Sequence, residues 1–135
     1  MTASHKPEGH STVSPYLVVT DADATIAFLA DVLGARELQR IAGEGGRVAH
    51  AEVRVDDSVI MLSDGVPGWP PVPAHVHVYV PDVDATYRRA VAAGAETVQE
   101  PGQKGDEDRR GGVRDAGGTT WWIATRVGDP RTATG

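Results

Sequence analysis

The chain contains no cysteine. That absence excludes a disulfide framework, thiolate metal sites and a cysteine nucleophile together, so any metal would have to rest on histidine and carboxylate. Aromatic residues make up only 5% of 135, with a single phenylalanine, so each tyrosine and tryptophan needs its own placement. No apolar run approaches the roughly 18 residues of a membrane-spanning helix. Lys6 is followed by no hydrophobic segment of the signal-peptide kind, which makes the cytoplasm the expected compartment. Positive charge is also in deficit, at a formal net of −6, which argues against a phosphate-binding surface and hence against nucleic acid. The densest charge mixture, Lys104 to Arg110, alternates in sign and reads as a solvated loop.

What is present is an internal repeat. Asp21-Ala22-Asp23-Ala24-Thr25 recurs as Asp82-Val83-Asp84-Ala85-Thr86, an offset of 61 residues. Each copy follows a β-branched apolar run, Val13 to Thr20 and Val76 to Pro81, and precedes a helical pattern ending at Gly34 or Gly94. Ile26, Leu29, Ala30 and Leu33 are expected on the buried face of the first helix, and Tyr87, Ala90 and Val91 on that of the second. The aspartates suit helix N-termini, where a carboxylate accepts orphan backbone N–H groups. Gly46 to Val55 and Ser58 to Leu62 read as a hairpin turning at Asp56-Asp57, and the same offset carries that turn onto Gly117-Gly118. Shorter strands near Glu37 to Ile41 and Thr97 to Glu100 complete βαβββ twice. The expected organisation is a disordered tail over 1–12 and a single domain over 13–126, with modules 13–64 and 75–126. A proline-rich linker spans 65–74, and a C-terminal tail covers 127–135. Gly111-Gly112 and Gly117-Gly118 are read as turns.

In this order, Pro15-Tyr16-Leu17-Val18-Val19, Val32-Leu33-Gly34-Ala35, His50-Ala51-Glu52 to Met61-Leu62-Ser63-Asp64, Ala93-Gly94-Ala95 and Gly112-Val113-Arg114-Asp115 followed by Gly118-Thr119-Thr120-Trp121-Trp122 resemble the vicinal oxygen chelate superfamily. That superfamily holds glyoxalase, bleomycin resistance proteins and extradiol dioxygenases, and the chain is most similar to its PhnB-like subgroup. The resemblance covers about residues 13 to 126. It implies an α+β fold in a small bacterial protein: two βαβββ modules form a curved mixed-sheet half-barrel with helices on the outer face, often as a homodimer. The fold hosts lyases, dioxygenases, epimerases and drug binders, so it does not fix a reaction.

Strand parity separates an outer from an inner face. Val76, Val78 and Val80 face the helices, leaving His75, His77 and Tyr79 inward; Ser14, Tyr16 and Val18 correspond in the first module. His50, Glu52 and Arg54 share the inner face of the hairpin, Val59, Met61 and Ser63 that of the next strand, and Trp122 faces inward while Trp121 joins the core. The expected ligand-binding set is Tyr16, His50, Glu52, His75, His77, Tyr79 and Trp122.

The resemblance places metal ligands at Ser14, Met61, His75 and Trp122, of which only His75 coordinates well. The expectation is therefore a protein without the usual metal or other cofactor, binding a small, partly apolar or aromatic molecule. The alternative is a lyase or dioxygenase with a divalent metal on a displaced site of His50, Glu52, His75 and His77, or a metal-free enzyme using a histidine as general base. Glu52 is otherwise expected to pair with a neighbouring histidine or Arg54, and Arg114 with Asp115 to brace the last hairpin. Trp69 is expected at the pocket mouth or a dimer seam.

Overall fold

Each module begins where an aspartate stops a strand and starts a helix. In a computed structural model that describes residues 5–129, Asp21 caps α1 (Ala22–Leu33) by accepting the Ala24 amide. Asp82 caps α2 (Val83–Ala92) by accepting that of Ala85. Gly34 closes α1 at φ 65°, a left-handed conformation that costs a side-chain-free residue little. No helix among the described residues is long and apolar enough to cross a membrane.

The strands are β1 (Tyr16–Val19), β2 (Arg36–Ala42), β3 (Val48–Val55) and β4 (Ser58–Asp64), then β5 (Ala74–Tyr79), β6 (Glu96–Gln103), β7 (Asp108–Arg114) and β8 (Thr119–Arg126). They form two four-stranded sheets of identical topology, β1-β4-β3-β2 and β5-β8-β7-β6. In each, the first and last strands of the module run parallel and the rest antiparallel. This is the expected α+β pair of βαβββ modules with open mixed sheets. The repeat offset is not constant: Asp21 and Asp82 cap helices 61 residues apart, but Arg54 and Arg114 hold equivalent pairings, opposite Arg36 and Glu96, at a spacing of 60. A shorter α2 removes one residue and a longer β7–β8 turn restores it.

The buried helix faces include the expected Leu29 and Ala90, with Ile26, Leu33 and Tyr87 partly buried against the core, but are centred about one position from the expected stripe. Thr25, Phe28, Leu29 and Val32 are buried on α1, and Val83, Thr86 and Ala90 on α2, whereas Ala30 and Val91 are exposed. The two threonines explain the shift. Thr25 donates to the Asp21 carbonyl and Thr86 accepts from Arg89, so a residue that looks polar in sequence is satisfied locally and can be buried.

The outer sheet faces and both helices share one core, in which Leu17, Leu29, Val53 and Leu62 meet Val113, Trp121 and Ile123. The modules join through this layer. Arg89 donates to the Val32 carbonyl, and Gly117 comes so close that a Cβ there would lie 3.2 Å from Val19. No strand of one sheet pairs with a strand of the other.

Three segments differ from the sequence reading. Gly111 and Gly112 lie inside β7 rather than in a turn, because close approach, not chain reversal, requires glycine there: a Cβ on Gly112 would stand 2.6 Å from the Trp122 ring. The charged stretch expected as a solvated loop enters β7 at Asp108, which is only 7% exposed. From His5 to Ser14 the chain lies against the first sheet, where Ser11 accepts the Val59 amide and Arg54 donates to the Gly9 carbonyl. Residues 1–4 and 130–135 of the expected tails lie outside the described residues.

Candidate functional site

The register lines up one row of residues across the face of each sheet that is turned away from the helices. In the first sheet it runs Tyr16, Met61, Glu52, Gln39; in the second it runs His77, Trp122, Gly112, Gln99. The seven expected site residues therefore divide by sheet. Tyr16, His50 and Glu52 come together on the first, and His75, His77, Tyr79 and Trp122 on the second. Tyr16 borders one hollow and His77 and Tyr79 another, on the two sides of the division.

On the first face, Glu52 is 8% exposed and both of its carboxylate oxygens are taken. His50 Nε2 lies 2.9 Å from one and His10 Nε2 2.8 Å from the other. These imidazole hydrogen bonds, His50 first and then His10, hold the Glu52 carboxyl below its ordinary range against the opposing effect of burial. With Nε2 donating to Glu52, the His50 Nδ1 lone pair is left as acceptor for the Tyr16 hydroxyl, 3.3 Å away. Of the two partners expected for Glu52, the neighbouring histidine is the one found, and Arg54 donates to the carbonyls of Gly9 and Asp56. Tyr16 is 44% exposed and meets Trp69 edge-on. These two rings border a hollow of about 590 Å³ with Leu17, Val18, Val72 and Ala74.

On the second face, Trp122 Nε1 donates to His75 Nδ1 at 3.1 Å, and the two ring planes are within 8° of parallel. An indole N–H bond lies in the ring plane, so with centroids 6.2 Å apart the rings sit side by side. They extend one flat surface, and Gly112 leaves room for it beneath Trp122. At the end of β5 the Tyr79 hydroxyl donates to Asp108 of β7, which also accepts from Arg110, both at 2.8 Å. Arg110 Nε donates to His77 Nε2 at 3.0 Å. Burial first, and the Arg110 charge second, push the His77 pKa down. The Asp108 hydrogen bond pushes that of Tyr79 up.

Three participants escaped the sequence reading. His10 sits in a segment without periodicity and carries no local signal. Arg110 was legible in principle, since at the spacing of 60 set by Gly34 and Gly94 it is the repeat counterpart of His50, whereas Asp108 corresponds to Val48 in that repeat. Asp115 does brace the last hairpin, but not through Arg114. It accepts the Gly117 and Thr119 amides and the Trp121 indole N–H, while Arg114 is exposed.

The sequence matches the family model described as Glyoxalase/Bleomycin resistance protein/Dioxygenase superfamily over residues 9–123. The chain belongs to that superfamily. An uncharacterized protein of Mycobacterium bovis is 37% identical over 126 residues, covering 85% of this chain and 83% of the relative. The solved structure of TioX from Micromonospora sp. ML1 is 30% identical, with TM-score 0.72, over 86% of this chain and 98% of that one. TnmS3, an antibiotic binding protein from Streptomyces sp. CB03234, shares the fold at 22% identity and TM-score 0.67, covering 93% of this chain and 98% of that one.

Metal-dependent members of the superfamily raise the question of a resident ion, and the residues at the expected ligand positions do not fit one. The Ser14 hydroxyl is bonded to Ser11, Met61 offers a thioether, and the Trp122 N–H occupies the Nδ1 lone pair of His75. The displaced alternative is split between sheets, with His50 and Glu52 on one and His75 and His77 on the other. Among the described residues, no three His, Cys, Asp or Glu side chains are grouped to hold an ion.

Proposed function

We propose that this superfamily member is a cytoplasmic, PhnB-like small-molecule-binding protein that holds a planar, partly apolar molecule of the antibiotic kind against its concave sheet faces. The carrying observation is the coplanar His75–Trp122 pair, a flat apolar surface with a polar edge, which suits stacking on a planar aromatic ligand. Tyr79 and His77 supply hydrogen-bonding groups beside it, and Tyr16, His50 and Glu52 supply the opposite sheet's contribution. The antibiotic-binding activity of TnmS3, on the same fold, supports this ligand class.

A homodimer belongs to this reading. Tyr79 is 63% exposed and Tyr16 44%, so each concave face is open in the single chain and a second copy would wall it in. Titration with a panel of planar aromatic antibiotics, following the Trp122 indole N–H by NMR, tests the proposal. A saturable shift that Trp122→Ala abolishes is expected. A panel-wide absence of saturation, or a monomer by sedimentation at micromolar concentration, would contradict it.

A further inference from the structure

We propose that Tyr16, His50 and Glu52 form a proton relay that takes up the proton of a weakly acidic ligand hydroxyl, a phenol or an enol, and holds the ligand as its anion. This rests on the small-molecule reading above and specifies what the first sheet adds to it.

The relay follows from the order of the hydrogen bonds. Both oxygens of Glu52 are occupied by imidazole Nε2 atoms, so each histidine donates there. The neutral His50 ring then has its lone pair at Nδ1, facing the Tyr16 hydroxyl. Tyr16 is the member that reaches the open concave face, whereas Glu52 is buried. A base oriented by a carboxylate behind it and a hydroxyl in front of it is the arrangement that takes up a proton and stabilises the imidazolium that forms.

The step balances within the site. The ligand O–H bond breaks as a new O–H bond forms at Tyr16 Oη. The original Tyr16 proton passes to His50 Nδ1, giving a ligand anion and an imidazolium whose charge Glu52 already compensates. No oxidant or second reactant is needed. The 3.3 Å separation of Tyr16 and His50 is long for a strong hydrogen bond and has room to tighten when a ligand presses on Tyr16.

Other groups around the relay do not compete for the proton's final place. His10, from the N-terminal segment, meets Glu52 through Nε2 and secures the carboxylate from the far side. Gln39 and Met61, opposite Glu52 on β2 and β4, are uncharged. Arg54, two residues along β3, is held by the Gly9 and Asp56 carbonyls, and the Trp69 ring flanks Tyr16. His50 is thus the positioned base and Tyr16 the group that touches ligand.

The test uses the full chain with p-nitrophenol, whose anion and neutral form absorb differently. Equilibrium dialysis reads binding and absorbance reads ionisation of the bound probe across the range where histidine titrates. The expected result is about a tenfold shift of the probe's ionisation equilibrium toward the anion on binding. His50→Gln should abolish that shift and weaken binding of the p-nitrophenolate anion by about the same tenfold, with an unchanged denaturant slope and a dispersed NMR spectrum showing that the chain still folds. Tyr16→Phe, at an exposed position, should also lose the ionisation shift and bind the anion more weakly, because it removes the hydroxyl that links ligand to His50. Binding with unshifted ionisation, or a shift that survives both substitutions, overturns the relay and leaves the binding reading intact. Failure of wild-type protein to bind p-nitrophenol also overturns the relay. Parallel dialysis with naphthalene, which has no acidic proton, then shows separately whether aromatic binding fails too.

Discussion

Replacing Gly112 by alanine perturbs the second concave face at one defined point. The added methyl carbon would lie 2.6 Å from Trp122 Cζ3 and 2.8 Å from Cε3, inside any tolerable contact distance. Gly112 has no positive φ, so the backbone accepts alanine without strain and the whole cost falls on the indole. Overpacking of this kind costs about 1–3 kcal/mol in a closed core. Trp122 borders the open face and can swing outward, which points to the low end. Swinging breaks the hydrogen bond to His75, worth about 1 kcal/mol. Alanine in a strand interior recovers roughly 0.5–1 kcal/mol relative to glycine. The net destabilisation should be about 1 kcal/mol, read as a lower denaturant midpoint with unchanged slope. The larger effect should be local: the Trp122 indole N–H resonance should move toward its free-solvent position while that of Trp121 stays fixed, and aromatic ligands should bind more weakly. Unchanged stability with an unmoved Trp122 resonance would mean that the ring does not lie over Gly112, and the flat surface assigned to it would be lost.

Asp115→Ala should cost about 3 kcal/mol in denaturant unfolding, because it strands two turn amides and the Trp121 indole N–H in a buried setting; a loss under 1 kcal/mol would contradict that bracing role. His77 has its folded pKa lowered, so in the window just below the ordinary histidine value the unfolded chain binds more protons and stability rises with pH. His77→Gln should flatten that rise in unfolding measured between about pH 5 and 7. Glu52 also has a lowered folded pKa, so its contribution is full above the ordinary carboxylate value and is lost as pH falls through the folded one. Wild type should accordingly lead Glu52→Gln in stability at neutral pH and lose that lead in acid. His10→Ala should speed hydrogen exchange at the Val59 amide, which Ser11 of the same N-terminal segment accepts, and leave exchange in β5 and β8 unchanged.

Strand parity was the most legible feature because the outer faces are continuously apolar. Val76 and Val78, Ala51 and Val53, and Trp121 and Ile123 all pack against helices, leaving the intervening residues inward. The βαβββ repeat was legible because helix caps have strong local chemistry, and Asp21 and Asp82 could be matched without knowing the fold. The helix faces were legible at Ile26, Leu29, Leu33, Tyr87 and Ala90 but not at Thr25 and Thr86, which hide their burial behind polar side chains. Gly111-Gly112 was misread because glycine marks both turns and close approaches, and only the partner ring tells them apart. His10 was out of reach, since a residue recruited by one long-range carboxylate leaves no pattern in its own neighbourhood.

At equivalent strand positions the two modules carry different chemistry on one scaffold. Where the first module carries His50 and Glu52, the second carries Arg110 and Gly112, and where the first has Met61 the second has Trp122. The exchange of Glu52 for Gly112 is coupled to that of Met61 for Trp122, because the indole needs the space that a side chain at 112 would fill. The first face consequently keeps a buried carboxylate with two imidazoles around it, and the second gives up that charge for a flat aromatic surface. On the second face His75 accepts from Trp122 and His77 accepts from Arg110, so their other ring nitrogens carry the protons and present donors. On the first, His50 keeps its lone pair toward Tyr16. A ligand bridging one face of each kind would meet a proton acceptor on one side and a stacking surface edged by donors on the other. That is the complement of a planar molecule with an acidic hydroxyl at one end and carbonyl-type acceptors along its rim.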